Sequence, residues 1–327
     1  MPEKRYLFYK SAAVAAALYF LSGPGCYAQE LYPLHEPAST LGKNTLGVRM
    51  FSETYNEINQ LRNMSALRLM YGVTPKLTVL ATAIGSNHHG KKFPQDYPFH
   101  NTPERGAKYP FRFNGGHLYA KYRFLTLDNK NTHFRMAVYG EGTYVNTSHH
   151  EAEPNLMMGD TKGIGGGLIA TYLYRKLAAS LTVGYIHPFA HTGPSPDVSA
   201  GIDDTYVRTQ YGQSLTYGLS VGYLLLPKTY SSYRQTNLNV YLELHGKRYE
   251  DALVTLLLNT PSEYVLSPLR YPDALRRGGY LDISPGIQAI INSNLRIDLS
   301  TTFPLLGFSW ARLYPVFTVG VQYYFYL

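Results

Sequence analysis

Read in steps of two, the chain repeats one pattern about a dozen times. Over 316–327, Phe317, Val319, Val321, Tyr323, Phe325 and Leu327 form an apolar and aromatic file opposite Thr318, Gly320, Gln322, Tyr324 and Tyr326. Successive side chains of a strand point to opposite faces, so this file predicts a strand with one greasy face. The same alternation predicts strands over 44–52, 64–71 and 77–85, the last without a clear face. Around 116–124, Gly116, Leu118, Ala120, Tyr122 and Phe124 alternate with His117, Tyr119, Lys121 and Arg123. Over 134–141, Phe134, Met136 and Val138 stand against Arg135, Ala137, Tyr139 and Glu141. Further strands are predicted over 161–174, 177–187, 211–223 and 238–247, the last setting Leu238, Val240, Leu242 and Leu244 against Asn239, Tyr241, Glu243, His245 and Lys247. Strands over 279–290 and 295–303 complete the set, with Arg296 and Asp298 opposite Leu295, Ile297 and Leu299.

Between the strands, 55–63 reads as a polar connection, while 87–113, 146–160, 188–208 and 249–278 read as long loops. Within the last of these, 252–258 is apolar and is expected to fold over the mouth of the assembly or into its bore. The remaining connections are short, among them 128–131, Arg175-Lys176 and Asn292-Ser293-Asn294. Twelve strands of about ten residues, with short turns at one end and long loops at the other, predict an all-β, closed antiparallel transmembrane barrel. Closure is required because an unpaired backbone N–H or C=O in hydrocarbon costs several kcal/mol. The closing strand, with its aromatics, resembles the last strand of bacterial outer-membrane barrels, which implies recognition by the barrel assembly machinery; Leu327 stands where that family usually has Phe or Trp.

The unit Tyr71-Gly72-Val73-Thr74-Pro75-Lys76-Leu77-Thr78 resembles the strand-turn-strand of the outer-membrane family described as meta-pathway phenol-degradation proteins. That resemblance covers a hairpin and the general layout. It implies a channel for a small hydrophobic or amphipathic solute, with no cofactor and no catalytic residues.

The ends and the composition narrow the picture further. Lys4, Arg5 and Lys10 precede an eleven-residue apolar run, and Cys26-Tyr27-Ala28 offers small residues before a cut at Gln29, so 1–28 reads as a secretory signal. Acylation of Cys26 is the alternative. Residues 29–43, with Pro33, His35 and Pro37, lack periodicity and read as a periplasmic lead-in, leaving 44–327 for the barrel. The apolar run is too short to span a bilayer as a helix, which needs about 20 residues. Cys26 is the only cysteine, so the chain has no disulfide. Removing the signal takes the formal net charge from +8 to about +6, spread without a basic run of the kind that tracks nucleic acid. The 31 tyrosines suit a membrane-water boundary, because the ring is apolar and its tip polar. Outer-membrane lipid is therefore the expected surround.

Candidate chemistry falls into three sets. Lys121, Arg123, Arg135, Glu243, His245, Lys247, Arg296 and Asp298 lie on the face opposite the apolar files and are expected in the lumen, since Arg or Lys at the bilayer midplane would cost about 2–4 kcal/mol. There they form either a polar ladder for an anionic or mixed solute, or a mutually neutralising salt network that fills a narrow bore. His88-His89 and His149-His150, the latter followed by Glu151, are metal-ligand candidates in two different loops, without a fixed site spacing. A hydrolase would need a site such as His245 with Glu243, or Asp203-Asp204, but no nucleophile motif accompanies them. Gly163, Gly165, Gly166 and Gly167 lack the Lys-Ser/Thr of a phosphate loop and suit a curved barrel strand.

Overall fold

A computed structural model describes residues 32–57, 60–87, 111–145, 151–159, 161–194, 206–229, 235–257, 263–265 and 273–327. Twelve strands close into an antiparallel barrel. In chain order they are β1 (Thr45–Glu57), β2 (Gln60–Thr74), β3 (Leu77–Ser86), β4 (Arg112–Asp128), β5 (Thr132–Val145), β6 (Gly163–Tyr174), β7 (Leu177–Pro188), β10 (Ser214–Leu226), β11 (Asn237–Tyr249), β14 (Gly278–Ile291), β15 (Leu295–Leu306) and β16 (Val316–Tyr326). Four further strands, β8 (His191–Pro194), β9 (Tyr206–Gln210), β12 (Leu253–Leu257) and β13 (Glu263–Val265), form a separate four-stranded sheet beyond the long-loop rim. A 3-10 turn, Asp273–Leu275, precedes β14.

The seam joins the two ends of the strand sequence. β1 pairs with β16 from Thr45 opposite Tyr326 to Thr54 opposite Phe317, so no sheet edge faces hydrocarbon. The apolar file of β16 points outward: Phe317, Val319 and Val321 are about half exposed, while Thr318, Gly320 and Gln322 between them are buried. Near the short-turn end, Tyr71, Tyr122, Phe124, Tyr172, Tyr174 and Tyr223 are exposed on the outside, an aromatic girdle at the depth where ring and headgroup meet. No helix among the described residues is long and apolar enough to span a membrane; the outward apolar files of the closed strands present the surface that meets hydrocarbon. A closed barrel with this exterior is an outer-membrane protein.

Two sequence expectations need correction. The polar connection at 55–63 is mostly strand, because β1 and β2 stay paired up to Glu57 opposite Gln60. Here the inner face stays buried at Tyr55 and Arg62, but the sequence no longer alternates apolar with polar, so the backbone ladder continues where the pattern fades. The apolar stretch expected to cover the mouth or enter the bore becomes, over Leu253–Leu257, strand β12, which pairs with β9. β8, β9 and β12 lie next in the chain to β7, β10 and β11 and extend that side of the wall outward. Tyr211, Tyr249, Ala252, Val254, Leu275 and Tyr280 pack as a small core at their base.

Candidate functional site: a bore entered from both ends

Residues 32–43, expected as a lead-in near the periplasmic mouth, run inside the barrel. Tyr32, Ala38, Thr40 and Leu41 are buried there. A segment without regular structure cannot satisfy its own backbone, so the wall does it. Leu34 N and His35 N donate to the two carboxylate oxygens of Glu243, each at 3.1 Å. Ala38 N donates to Thr171 Oγ1 at 2.8 Å and Leu41 N to Thr78 Oγ1 at 2.9 Å. In the other direction, Arg49 Nη2 donates to Pro33 O at 2.9 Å and Arg296 Nη2 to Tyr32 O at 3.0 Å. Small wall residues make room: a Cβ on Gly218 would collide with the His35 ring.

The charge that seats this segment is Glu36. Its Oε2 accepts from Lys121 Nζ at 3.1 Å and its Oε1 from Arg68 Nη1 at 3.3 Å. Lys121 Nζ also donates to Pro37 O at 2.6 Å. Burial opposes the charge on Glu36, but Lys121 and Arg68 outweigh it and hold the carboxyl down to about 2 from an ordinary 4.5. The Tyr71–Thr78 hairpin has its part at the rim, where Pro75 O accepts from Thr40 Oγ1 at 2.7 Å and from Arg123 Nη2 at 2.9 Å.

From the long-loop side a second segment, 151–159, folds into the bore. Glu153 is fully buried; its Oε1 accepts from Lys247 Nζ at 3.2 Å and its Oε2 from Ser309 Oγ at 2.8 Å and Trp310 N at 3.1 Å. Leu156 O accepts from Thr143 Oγ1 at 3.1 Å, and Met158 packs among Phe51, Met64, Ala66 and Ile84. Gly159 ends the turn at φ +69°, a conformation L side chains rarely adopt, and a Cβ there would also press on Ile84.

Between the two segments lies a cavity of about 170 Å³. Leu34, His35 and Glu36 floor it, Asn155, Leu156 and Met157 roof it, and Tyr119, Tyr139, Ile169 and Ile186 supply apolar wall. Tyr119 and Tyr139 stack at 5.1 Å between ring centroids. One side is polar, formed by Glu53, His245 and Arg312. Arg312 Nη1 is 3.4 Å from His245 Nε2, which lies 3.5 Å from Asp282 Oδ2, and Arg312 Nε is 3.9 Å from Glu53 Oε2.

The structure therefore distributes the residues singled out by alternation among different roles. Lys121 and Glu243 hold the lead-in; Lys247 holds 151–159. Arg296 Nε donates to both oxygens of Asp298 at 2.9 Å, and Asp298 also faces Arg49 at 3.6 Å. Arg123 and Arg135 sit at the periplasmic rim, Arg135 bonding Ser39 Oγ at 3.1 Å and Asp128 at 3.2 Å. Glu243 and His245 are not partners, since Glu243 turns to His35 and His245 to Asp282. His88, His89, His149, His150, Asp203 and Asp204 lie outside the described residues, as do 1–31.

Sequence reasoning missed Glu36, Arg68, Glu153 and Arg312. Arg68 stands between Leu67 and Leu69 in its strand, on the face opposite theirs, which is signal enough to include it. Glu36, Glu153 and Arg312 stand in segments without periodicity and offered none.

No family model matches this chain and no curated protein matches it. Solved structures do. A COG4313 outer membrane channel from Pseudomonas putida is 15% identical, with 93% of this chain and 98% of that one covered at a TM-score of 0.46. Outer membrane phospholipase A from Escherichia coli is 11% identical over 94% and 95%, at 0.37. The toluene transporter TodX of Pseudomonas putida is 10% identical over 94% and 99%, at 0.35. What they share with this chain is barrel architecture.

Proposed function

We propose that this barrel is a channel that admits a small hydrophobic or amphipathic solute and passes it across the outer membrane when the inward-folded segments give way. The observation that carries the reading is the 170 Å³ chamber, with its aromatic and aliphatic wall and one polar side. A cavity mostly apolar with a few convergent polar groups suits an amphipathic molecule of about one ring in size. The resemblance of the Tyr71–Thr78 hairpin to the meta-pathway phenol-degradation family supports the same solute class. β16, with its outward aromatic file, is the element we propose the barrel assembly machinery reads.

A second reading, a closed barrel that acts through its outer loops and sheet, is favoured by the buried ion pairs that hold both segments in the bore. A hydrolase is disfavoured by geometry. Ser220 Oγ lies 3.1 Å from His35 Nδ1, but Glu243 Oε1 contacts that same ring nitrogen at 3.2 Å, whereas a relay needs acid and nucleophile on opposite nitrogens.

Planar-bilayer conductance of the purified protein, beside a variant lacking 32–41, separates the two readings. Discrete steps in the shortened variant, together with uptake of a single-ring aromatic into liposomes, support the channel. A folded variant that stays silent and impermeable overturns it in favour of the closed barrel.

A further inference from the structure

The short-turn rim carries an uneven charge that the bore does not use. Lys43, Lys76, Lys130, Arg175 and Lys228 are exposed there, one on the lead-in and the others on or beside four different turns. The acid at this end among the described residues, Asp128, is already taken: Arg135 Nη2 lies 3.2 Å from its Oδ2 and His133 Nδ1 3.0 Å from its Oδ1. Lys176 is used internally, donating to Pro227 O and Lys228 O at 2.8 Å each. Among the described residues, the five exposed cations therefore form a collar with no free side-chain carboxylate beside it.

Their depth identifies what meets them. Tyr174 is exposed on the lipid-facing side of β6, and the guanidinium of Arg175 sits 5.3 Å from its ring centroid. A cation stacked on an interfacial tyrosine lies where lipid phosphates lie. Distribution around several turns also fits an annulus of lipid, which touches every side of a barrel, better than a soluble partner, which would dock on one. We propose that this collar binds anionic phospholipid headgroups of the periplasmic leaflet and fixes the barrel's depth and orientation by phosphate contacts from below.

The test is native mass spectrometry of the full protein in detergent, titrated with phosphatidylglycerol and with phosphatidylcholine of matched acyl chains. Wild type should prefer the anionic lipid by at least about tenfold, from five cations each of which interacts appreciably with an anionic surface. The variant K43Q/K76Q/K130Q/R175Q/K228Q should bring that ratio to within about twofold of one. A control, R208Q/R248Q, changes exposed cations at the opposite end and should keep the preference. Should the fivefold variant not fold, single Lys76→Gln and Arg175→Gln variants should each lower the ratio measurably. Equal binding of both lipids by wild type overturns the proposal, as does a preference that survives neutralisation of the collar. Displacement of the lipid by inorganic phosphate at matched ionic strength, or capture of a soluble polyanion in place of the lipid, would also overturn it.

Discussion

Replacing Glu36 by Gln keeps the shape of the side chain and one acceptor but removes the charge that faces Lys121 and Arg68. Breaking a buried ion pair from one side costs about 3–5 kcal/mol, because the remaining charges are left desolvated. The depressed Glu36 carboxyl points the same way, since Lys121 and Arg68 favour its ionised form in the seated segment. The predicted consequence is about a hundredfold rise in the unseated population of 32–43. Hydrogen exchange reads it directly, since the amides of Leu34, His35, Ala38 and Leu41 bond to wall side chains and exchange only when the segment lifts. Their protection should fall about a hundredfold in Glu36→Gln, while amides of β14 and β15 stay as they were. The pH dependence follows from the same shift. A depressed carboxyl stabilises the seated state above its unseated pKa and loses that contribution as pH falls through its seated one. Corrected for intrinsic rates, wild-type protection should therefore decline as pH falls below about 4.5, and at Ala38 and Leu41, which bond to threonine hydroxyls, the variant should show a clearly smaller decline. A change in protection below about fivefold, or the same acid profile in both proteins, would refute the reasoning.

Three further substitutions probe other parts of the molecule. Gly218→Val places a side chain where the His35 ring lies and should unseat 32–43 while leaving every charged side chain in the sequence, giving higher conductance in planar bilayers. Lys247→Met removes the cation beside the fully buried Glu153; a cost of about 3–5 kcal/mol should appear as faster exchange across 151–159 with the barrel strands unaffected. Val319→Arg puts a charge on the lipid face of β16, where Val319 is 46% exposed, and should lower unfolding stability in vesicles by about 2–4 kcal/mol, whereas Thr318→Val on the buried face should change it far less.

Alternation alone determined the wall of this protein. A strand's side-chain direction is fixed by its own backbone, so Leu118 and Lys121, or Ile297 and Asp298, declare their faces without knowledge of any partner. The strand count, the antiparallel closure and the membrane location follow, because a ribbon with one greasy face and polar backbone survives in hydrocarbon only as a closed cylinder. The periodic signal stops where the membrane does. β1 and β2 continue past the predicted strands, and β8, β9, β12 and β13 pair in a sheet of their own that alternation did not announce; β12 was legible only as an apolar stretch, without its partners. What fills the cylinder was decided by tertiary structure alone. Two readings of the inward charges, a ladder for solute or a network that closes the bore, are the same on paper, because the partners of Lys121, Glu243 and Lys247 sit in segments with no period of their own. His35 and Glu243 are 208 residues apart in sequence and 3.2 Å apart in space. Only folding the chain into the barrel it encloses brings such groups together, and with them the chamber.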